Sequence, residues 1–473
     1  MIKRTYLCIS RFSSTDTPIN PLDGIAGRFT RFHLRFKTHF QNATRSVIEP
    51  VGHYLRGLMQ ADPNKKNMER MEERVPDADE QQLQQMLTDS PWDHQAVIDQ
   101  VALAADRWLG GHPNSCLLID ESGFKKSGKH SVGVARQWCG RLGKVDNCQV
   151  GVFAALGRDR RVTLVDERLY LPEKWCDDAP RCEQAGIPEE DRVFKTKVAL
   201  ALAMVAHQRR IGVRFSWVGA DGFYGNDPAF LRGLAAMGEV FVADVHCNQL
   251  IFLEDPKPTV KQKKGQRGRT PTKLEANAAA IRVDQWQAEQ PAEAWQRVKV
   301  RDSTRGELEV AVLHRRVWLW DNEETAAHGW HLIVRREINA PEDIKYTLSN
   351  APAETPVKRL AEMQAQRYWV ERAFQDGKSE CGMADYQVRK WSAWHHHMAL
   401  VLMAMLFMLE ERLRAADVHP LLSCSDIEEL LKQFLPRRAV TQEEVLAQME
   451  KRHKKRLASI RAQYAKQGLA LLE

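Results

Sequence analysis

Two short apolar segments that each end on an aspartate constrain this chain most strongly. Residues 115–120 read Ser-Cys-Leu-Leu-Ile-Asp, and residues 217–221 read Trp-Val-Gly-Ala-Asp. Short apolar runs of this kind are typical of buried strands, and an α/β sheet exposes side chains to a site where its strands end. An acid after a strand also suits an ordinary turn, so each aspartate alone is weak evidence. We therefore treat Asp120 and Asp221 as candidate active-site residues. A third residue with a related role is needed to support this assignment.

The pattern of apolar and polar residues changes several times along the 473 residues of the chain. Helical spacing of apolar positions marks 79–87, 94–109 and 194–209, whereas short strand-like runs dominate between about 111 and 250. A β-rich stretch with a basic loop follows, and helical patterns then return at about residue 357. This order predicts an α/β core with a mixed sheet. The predicted units are a helical N-terminal region (1–110), the core (111–250 and 346–412), a β-rich insertion (251–345) and a basic helical tail (413–473).

Composition narrows the class of protein but does not define the function. The nine cysteines include no C-x-x-C pair, which argues against a disulfide framework or a structural zinc site and fits a reducing cytoplasm. The first ten residues lack the long apolar stretch of a signal peptide, and the apolar run at 398–409 is about half a membrane span. We expect a soluble cytoplasmic protein without a membrane partner. The net charge of +7 favours a polyanionic partner only weakly.

A third acid, Glu371, lies in a predicted helix with the pattern Arg367-x-x-x-Glu371-x-x-x-x-x-x-Lys378. Helical spacing puts these three charges on one face together with Phe374. A solvated face with ordinary salt bridges would explain the charges. However, the aromatic residues of this segment predict that the helix is packed, so a charge on its inner face needs a role.

Three carboxylates without a histidine or cysteine set favour a hard cation, Mg²⁺ or Mn²⁺, over zinc. Two such ions about 4 Å apart can activate a water or a 3′-hydroxyl and stabilise the leaving oxygen of a phosphodiester. Asp120, Asp221 and Glu371 are the predicted metal ligands. Lys378 and Arg367 are the predicted phosphate contacts.

Other acids compete for these roles. Asp244 lies within the next predicted strand, and Asp227 precedes a proline at a predicted helix start, where it suits a cap. Both are rivals of Asp221 for the second carboxylate. Glu121 would point to the opposite side from Asp120 if the strand continued past the aspartate, and we interpret it as a bystander.

Basic segments are candidate DNA contacts. Lys125, Lys126 and Lys129 follow the first aspartate in a predicted loop, where a solvated role is nearly as plausible. The segment 257–273 combines seven Lys and Arg with no acid, and binding of such a segment to DNA releases counterions. Its candidate contacts are Lys261, Lys263, Lys264, Arg267 and Arg269. The triplet His395-His396-His397 is interpreted as polar surface or phosphate contacts, because consecutive helical residues point about 100° apart and cannot easily share an ion.

Four sequence blocks, in this order and spacing, resemble the DDE transposases of bacterial insertion sequences. The resemblance runs from about residue 50 to 410. The blocks are Leu118-Ile-Asp120-Glu-Ser-Gly-Phe-Lys-Lys-Ser-Gly128 with Asn147-Cys-Gln149; Leu169-Tyr-Leu-Pro172; Ala220-Asp221-Gly-Phe-Tyr-Gly225; and the Arg367–Lys378 motif continuing to Tyr386-Gln-Val-Arg389. The sequence departs from the related tyrosine-arginine-glutamate-lysine signature at Gln364, where that signature has tyrosine.

The resemblance implies a ribonuclease-H-like catalytic core with a β-rich insertion ahead of the glutamate. It also implies binding to double-stranded DNA at terminal inverted repeats, excision of the element and strand transfer into target DNA, by a homodimer or larger assembly. Residues 20–110 are the candidate for part of the DNA-end recognition. The alternative is a captured transposase that binds DNA but no longer cuts it. Retention of all three acids favours the active enzyme.

Overall fold

A twelve-stranded mixed sheet runs through the part of the chain that the structure describes. The structure is a computed structural model, and it describes residues 20–41, 46–260, 272–303 and 306–467. The first half of the chain contributes the following strands: β1 (Ser115–Lys125), β2 (Ala135–Cys139), β3 (Lys144–Arg158), β4 (Arg161–Leu169), β5 (Trp217–Ala220) and β6 (Phe241–Val245).

The predicted insertion contributes a further set of strands. They are β7 (Leu250–Phe252), β8 (Thr259–Val260), β9 (Leu274–Glu275), β10 (Ala280–Arg282), β11 (Gln296–Ser303), β12 (Gly306–Leu319), β13 (His328–Glu337) and β14 (Ile344–Ser349). Strand β14 pairs with β6, so the β-rich segment extends the central sheet at its edge. The short strands β8 and β9 form a separate pair.

Parallel pairing at the centre of the sheet fixes the positions of the candidate acids. Strands β1, β5 and β6 are parallel neighbours, and β3 pairs antiparallel with β1 on the other side. Across this centre the sheet order is β6-β5-β1-β3, with β2 and β4 both paired to the far side of β3. Strands β1 and β3 are almost continuously buried, as expected for central strands covered on both faces.

Helices precede, interrupt and follow the sheet. They are α1 (Ile25–Phe32), α2 (Ile48–Gln60), α3 (Met68–Arg74), α4 (Glu80–Thr88), α5 (His94–Leu109), α6 (Glu173–Cys176), α7 (Ala179–Ala185), α8 (Lys197–Arg210), α9 (Gly222–Gly225), α10 (Pro228–Ala236), α11 (Val283–Ala288), α12 (Val357–Gln366), α13 (Tyr368–Ser379), α14 (Trp391–Arg414), α15 (Cys424–Phe434) and α16 (Gln442–Lys466). The fold is therefore a mixed α/β fold with helices at both ends, as predicted.

Helix α14 is the central core helix. By length and composition it could cross a membrane, but 94% of its most apolar window is buried inside the protein, which fits the predicted buried helix. The interpretation of His395, His396 and His397 as polar surface was wrong, because all three are buried. His395 Nδ1 lies 2.6 Å from Glu167 Oε1, and His397 Nδ1 lies 2.8 Å from the Tyr54 hydroxyl. Each of these distant partners contacts one ring nitrogen, and neither contact could be predicted from the local sequence.

Strand β1 does not end at Asp120, as the sequence suggested. It continues for five residues to Lys125, because every residue from Ser115 to Lys125 has a partner on β3. Asp120 therefore lies in the middle of a strand, and Lys125 lies at the end of that strand rather than in a loop. The antiparallel pairing with β3 outweighs the turn-like appearance of the Glu-Ser-Gly segment that follows Asp120.

Candidate active site

Three aspartates lie at the same level of three neighbouring parallel strands. Ile119 on β1 pairs with Ala220 on β5, and Ala220 pairs with Ala243 on β6. The next residues along the chain are Asp120, Asp221 and Asp244. The sheet thus brings Asp120 and Asp221 together, and it adds the residue that the sequence analysis ranked as a rival.

The Asp221 carboxylate is close enough to Asp120 to raise the pKa of Asp120. Burial, and next the nearby Asp221 carboxylate, raise the pKa of Asp120 to about 7. Burial also raises the pKa of Asp221. Two buried carboxylates in proximity disfavour double ionisation unless a cation joins them, so the pair has the electrostatics of a cation-binding site.

Local structure explains how Asp221 is held. Its Oδ1 accepts hydrogen bonds from the backbone N–H groups of Phe223 at 3.1 Å and Tyr224 at 3.4 Å, so it caps the short helix α9. This helix packs directly on β6: a Cβ atom at Gly225 would lie 1.9 Å from the Asp244 carbonyl oxygen. The Asp-Gly-Phe-Tyr-Gly block therefore combines a helix cap with a close backbone approach.

Arg367 lies among the acids. Its Nε is 2.9 Å from Asp244 Oδ2, its Nη2 is 3.1 Å from Glu371 Oε1, and its Nη1 is 3.9 Å from Asp120 Oδ2. Burial alone would lower the pKa of Arg367, but Asp244, Asp120 and Glu371 outweigh it and raise the pKa. The guanidinium therefore neutralises part of the negative charge that the sheet concentrates here.

Glu371 is on the outer side of this guanidinium. Its side chain is 54% exposed, whereas those of Asp120 and Arg367 are each 15% exposed. Among the described residues, no group of three or more His, Cys, Asp or Glu side chains is close enough to hold a metal ion. The structure thus brings Glu371 to the site through Arg367, without closing a three-carboxylate set. Lys378 lies two turns further along α13, with Nζ 5.5 Å from the centre of the Phe374 ring.

Asp244 has a supporting network of its own. It accepts a hydrogen bond from the Thr347 hydroxyl at 2.6 Å, and that hydroxyl in turn accepts one from the Gln364 side-chain amide. Gln364 is the position where the sequence departs from the related signature. The rival Asp227 instead caps α10, accepting from the N–H groups of Ala229 and Phe230. The alignment of parallel strands is the signal that would have favoured Asp244 over Asp227.

Glu121 faces away from Asp120 in the continuing strand. Its Oε2 lies 2.6 Å from Lys197 Nζ at the start of α8. The pair agrees with the expectation that Glu121 points to the opposite side of the strand from Asp120. A structural ion pair accounts for its charge.

The predicted DNA-contact lysines differ in exposure. The Lys125 side chain is 66% exposed and 4.0 Å from Asp146 Oδ2, and Lys129 is exposed. Lys126 is half-buried: its Nζ donates to the Tyr386 carbonyl oxygen at 3.3 Å, and burial lowers its pKa to about 7. The remaining candidates, from Lys261 to Arg269, lie outside the described residues.

Comparisons with known proteins identify the family of this chain. A family model described as "DDE superfamily endonuclease" matches residues 35–307, a range that includes Asp120 and Asp221 and ends before Glu371. A relative from Microchaete diplosiphon, named "Probable transposase for insertion sequence element IS701", is 25% identical over 336 residues, covering 69% of this chain and 74% of the relative. Because the family model matches more than half of the chain, this protein belongs to the DDE superfamily of endonucleases.

Proposed function

We propose that this protein is a cut-and-paste DNA transposase that cleaves DNA at the ends of an insertion sequence and joins those ends to target DNA. The row of acids at the centre of the sheet, in a chain of the DDE endonuclease superfamily, is the observation that carries the proposal. The name of the relative, a probable transposase, supports it. The strand order β4-β3-β1-β5-β6, with Asp120 on the first strand and Asp221 directly after β5, supports a ribonuclease-H-like core.

The donor set fits a divalent cation. Asp120 and Asp221 offer hard oxygen ligands, and their mutual repulsion is the kind that bound Mg²⁺ or Mn²⁺ relieves. One or two bound ions would lower the pKa of a water or 3′-hydroxyl and stabilise the oxygen that leaves phosphorus. Asp120 and Asp221 are the proposed ligands, and Glu371 is the proposed third.

Arg367 would exchange one of its partners when metal ions and DNA bind to the site. It now bridges Asp120, Asp244 and Glu371. Its bond to Asp244 anchors the guanidinium, while the other nitrogens are directed toward the residues that we assign to metal binding. A DNA phosphate would replace Glu371 as the partner of Arg367, and the exposed Glu371 carboxylate could then turn toward Asp120 and Asp221. Lys378 is proposed as a further phosphate contact.

The proposed partners are the two ends of the mobile element and target DNA, held by a homodimer or larger assembly. The N-terminal helices and the basic segment between 257 and 273 are the proposed contacts outside the active site. A captured transposase that binds DNA without cutting is the second candidate. It is less well supported, since all three acids are present.

A cleavage assay tests the proposal. A labelled DNA fragment with the element's end and its flanking sequence is incubated with the purified protein and Mg²⁺, beside the Asp120→Ala, Asp221→Ala and Glu371→Ala variants. We expect cuts at the element boundary with the wild-type protein alone, and DNA binding by all four proteins. Binding by the wild-type protein without any cut would favour the captured transposase. Cleavage that persists in Glu371→Ala would remove Glu371 from the site.

A further inference from the structure

An exposed apolar tip closes the hairpin that β2 and β3 form. Trp138 on β2 pairs with Val145 on β3, and the turn between the two strands contains the short helical segment Gly140–Leu142. Trp138 is 54% exposed, Val145 is 50% exposed and Leu142 is 36% exposed. We call these three residues the hairpin tip. Apolar side chains that are grouped at a surface often mark a contact with another molecule.

The pairing register places the hairpin tip on the same face of the sheet as Asp120. Asp120 on β1 pairs with Phe153 on β3. Trp138 pairs with Val145 on the same strand. Phe153 and Val145 are eight residues apart, and this even number means that both pairs of side chains point to one face. At about 3.4 Å per residue, the tip extends at most about 27 Å beyond the level of Asp120.

Helices cover this face at the middle of β3 but not at the start of the strand. The centre of the Phe374 ring on α13 lies 5.5 Å from that of the Phe153 ring. The Tyr386 hydroxyl donates a hydrogen bond to Gln149 Oε1 at 2.9 Å. Val145, by contrast, is exposed. The hairpin tip therefore projects beyond the helices, on the face against which α13 packs.

Cations without acidic partners lie near the base of the hairpin. Arg136 is two residues from Trp138 on β2, so both side chains point to the same face, and both are exposed. Lys129 is exposed in the loop between β1 and β2, and the backbone carbonyl of the exposed Arg389 accepts a hydrogen bond from that loop. Within the described ranges, no carboxylate forms an ion pair with any of these three cations. Their charge favours a polyanionic partner.

We propose that the hairpin tip is a wedge that kinks double-stranded DNA. Trp138 and its apolar neighbours enter the minor groove and press between two base pairs, while Arg136 and the nearby cations contact the flanking phosphates. Apolar side chains unstack base pairs in this way in proteins that bend duplexes, because the bent DNA then covers more of the protein surface.

The reach of the hairpin limits where the kink lies. At a rise of about 3.4 Å per base pair, the kink is at most about eight base pairs from a phosphate at Asp120. This position rests on the proposed function. Binding and bending of a duplex by the tip do not depend on cleavage.

Bending of a synthetic duplex tests the wedge. The DNA contains the element's end and carries donor and acceptor fluorophores about 20 base pairs apart, a spacing far below the persistence length of duplex DNA. Energy transfer rises when the duplex bends. Ca²⁺ replaces Mg²⁺ so that the DNA stays intact. The variants are Trp138→Ala, Trp138→Phe and Arg136→Gln, and the control is Phe434→Ala, which removes a ring that is 65% exposed at the end of α15.

We expect the wild-type protein to raise the energy transfer, and Trp138→Ala to lose most of that rise and to bind the duplex about 10-fold more weakly. Trp138→Phe and Phe434→Ala should match the wild-type protein. Arg136→Gln should keep the bend and lower the salt dependence of binding by about one phosphate contact.

Mismatched DNA separates a wedge from a merely structural role of Trp138. Two adjacent mismatches are placed in turn at each position within about ten base pairs of the cleavage position. A mismatched step is already easier to unstack, so the kink needs less help from the protein. With mismatches at the kink, Trp138→Ala should bind within about 2-fold of the wild-type protein.

Equal energy transfer in Trp138→Ala and the wild-type protein would overturn the wedge. A loss of binding that no mismatch restores would do the same. Cleavage in Mg²⁺ is scored separately. A wild-type protein that bends DNA through Trp138 but cuts nothing would contradict the proposed function and leave the wedge standing, whereas cleavage without bending would contradict the wedge alone.

Discussion

Arg367 and Asp244 are the residues that organise the acid cluster. Asp244 holds the guanidinium at 2.9 Å and is itself held by the Thr347 hydroxyl. The local sequence identified Asp120, Asp221 and the Arg367 motif because each has a recognisable pattern. It identified Asp244 only as a rival of Asp221 and not as the anchor of Arg367, because the partners of Asp244 are 103 and 123 positions away along the chain.

Replacing Asp244 tests this positioning role. Asp244→Asn should remove the charge that anchors Arg367 and lower the rate of DNA cleavage by roughly 10- to 100-fold, the range for partners that orient residues of a metal site. Asp227→Asn is the matched control, because asparagine caps a helix about as well as aspartate. The control should cut within about 2-fold of the wild-type rate. Equal rates for the two variants would contradict the role of Asp244.

Secondary-structure elements were predictable where their signals are local. Helix α5 begins at His94 and ends at Leu109, the range that its apolar spacing predicts, and the structure adds Asp93 as its N-cap. The end of β1 was not predictable, since its last five residues depend on pairing with β3. The burial of the α14 histidines also depends on distant partners, such as Glu167 and Tyr54.

The pH dependence of stability tests the burial of His397. Burial, and next the nearby Lys126, lower the pKa of His397 to about 3. An unfolded histidine takes up its proton near pH 6.5. The folded protein does not bind this proton until about pH 3, so His397 costs stability progressively as the pH falls from 6.5 to 3.

The His397→Gln variant lacks this titration. Urea unfolding of both proteins at pH 7.5 and 5.5 measures the difference in their free energies of unfolding. Between pH 7.5 and pH 5.5, the free energy of unfolding of the wild-type protein should fall by about 1 kcal/mol relative to that of the variant. A difference that is the same at both pH values would mean that His397 is accessible to protons in the folded protein.

At the scale of the whole molecule, the last two helices attach to the fold in different ways. None of the described residues of α16 is buried, and its contacts include ion pairs such as Lys451–Glu72 at 2.7 Å and Lys455–Glu80 at 2.6 Å. Helix α15 instead buries Ile427 and Leu431 and holds the buried pair Lys66–Glu428 at 2.6 Å. The sequence predicted one basic helical tail, 413–473, because the burial of α15 depends on contacts from the N-terminal helices.

Two truncations separate these modes of attachment. A chain that stops after Ala439 loses α16 and should lower the melting temperature by only about 2 °C, since exposed ion pairs contribute roughly 0–1 kcal/mol each. A chain that stops after Leu422 also loses α15 and should fail to fold, because it exposes the core surface that Ile427 and Leu431 cover and removes the partner of Lys66. Thermal unfolding followed by circular dichroism measures both. Similar melting temperatures for the two chains would contradict this division.

A change of metal preference tests the proposed role of Asp120 as a ligand of a catalytic metal ion. In Asp120→Cys a thiolate replaces a hard carboxylate, and thiolates bind Mn²⁺ more readily than Mg²⁺. Cleavage of the element-end DNA is measured with each ion for this variant and for the wild-type protein. We predict that the wild-type protein cuts with both ions, and that the variant is inactive with Mg²⁺ and regains cleavage with Mn²⁺. Cleavage by the variant at the wild-type rate in Mg²⁺ would contradict the assignment of Asp120 as a metal ligand.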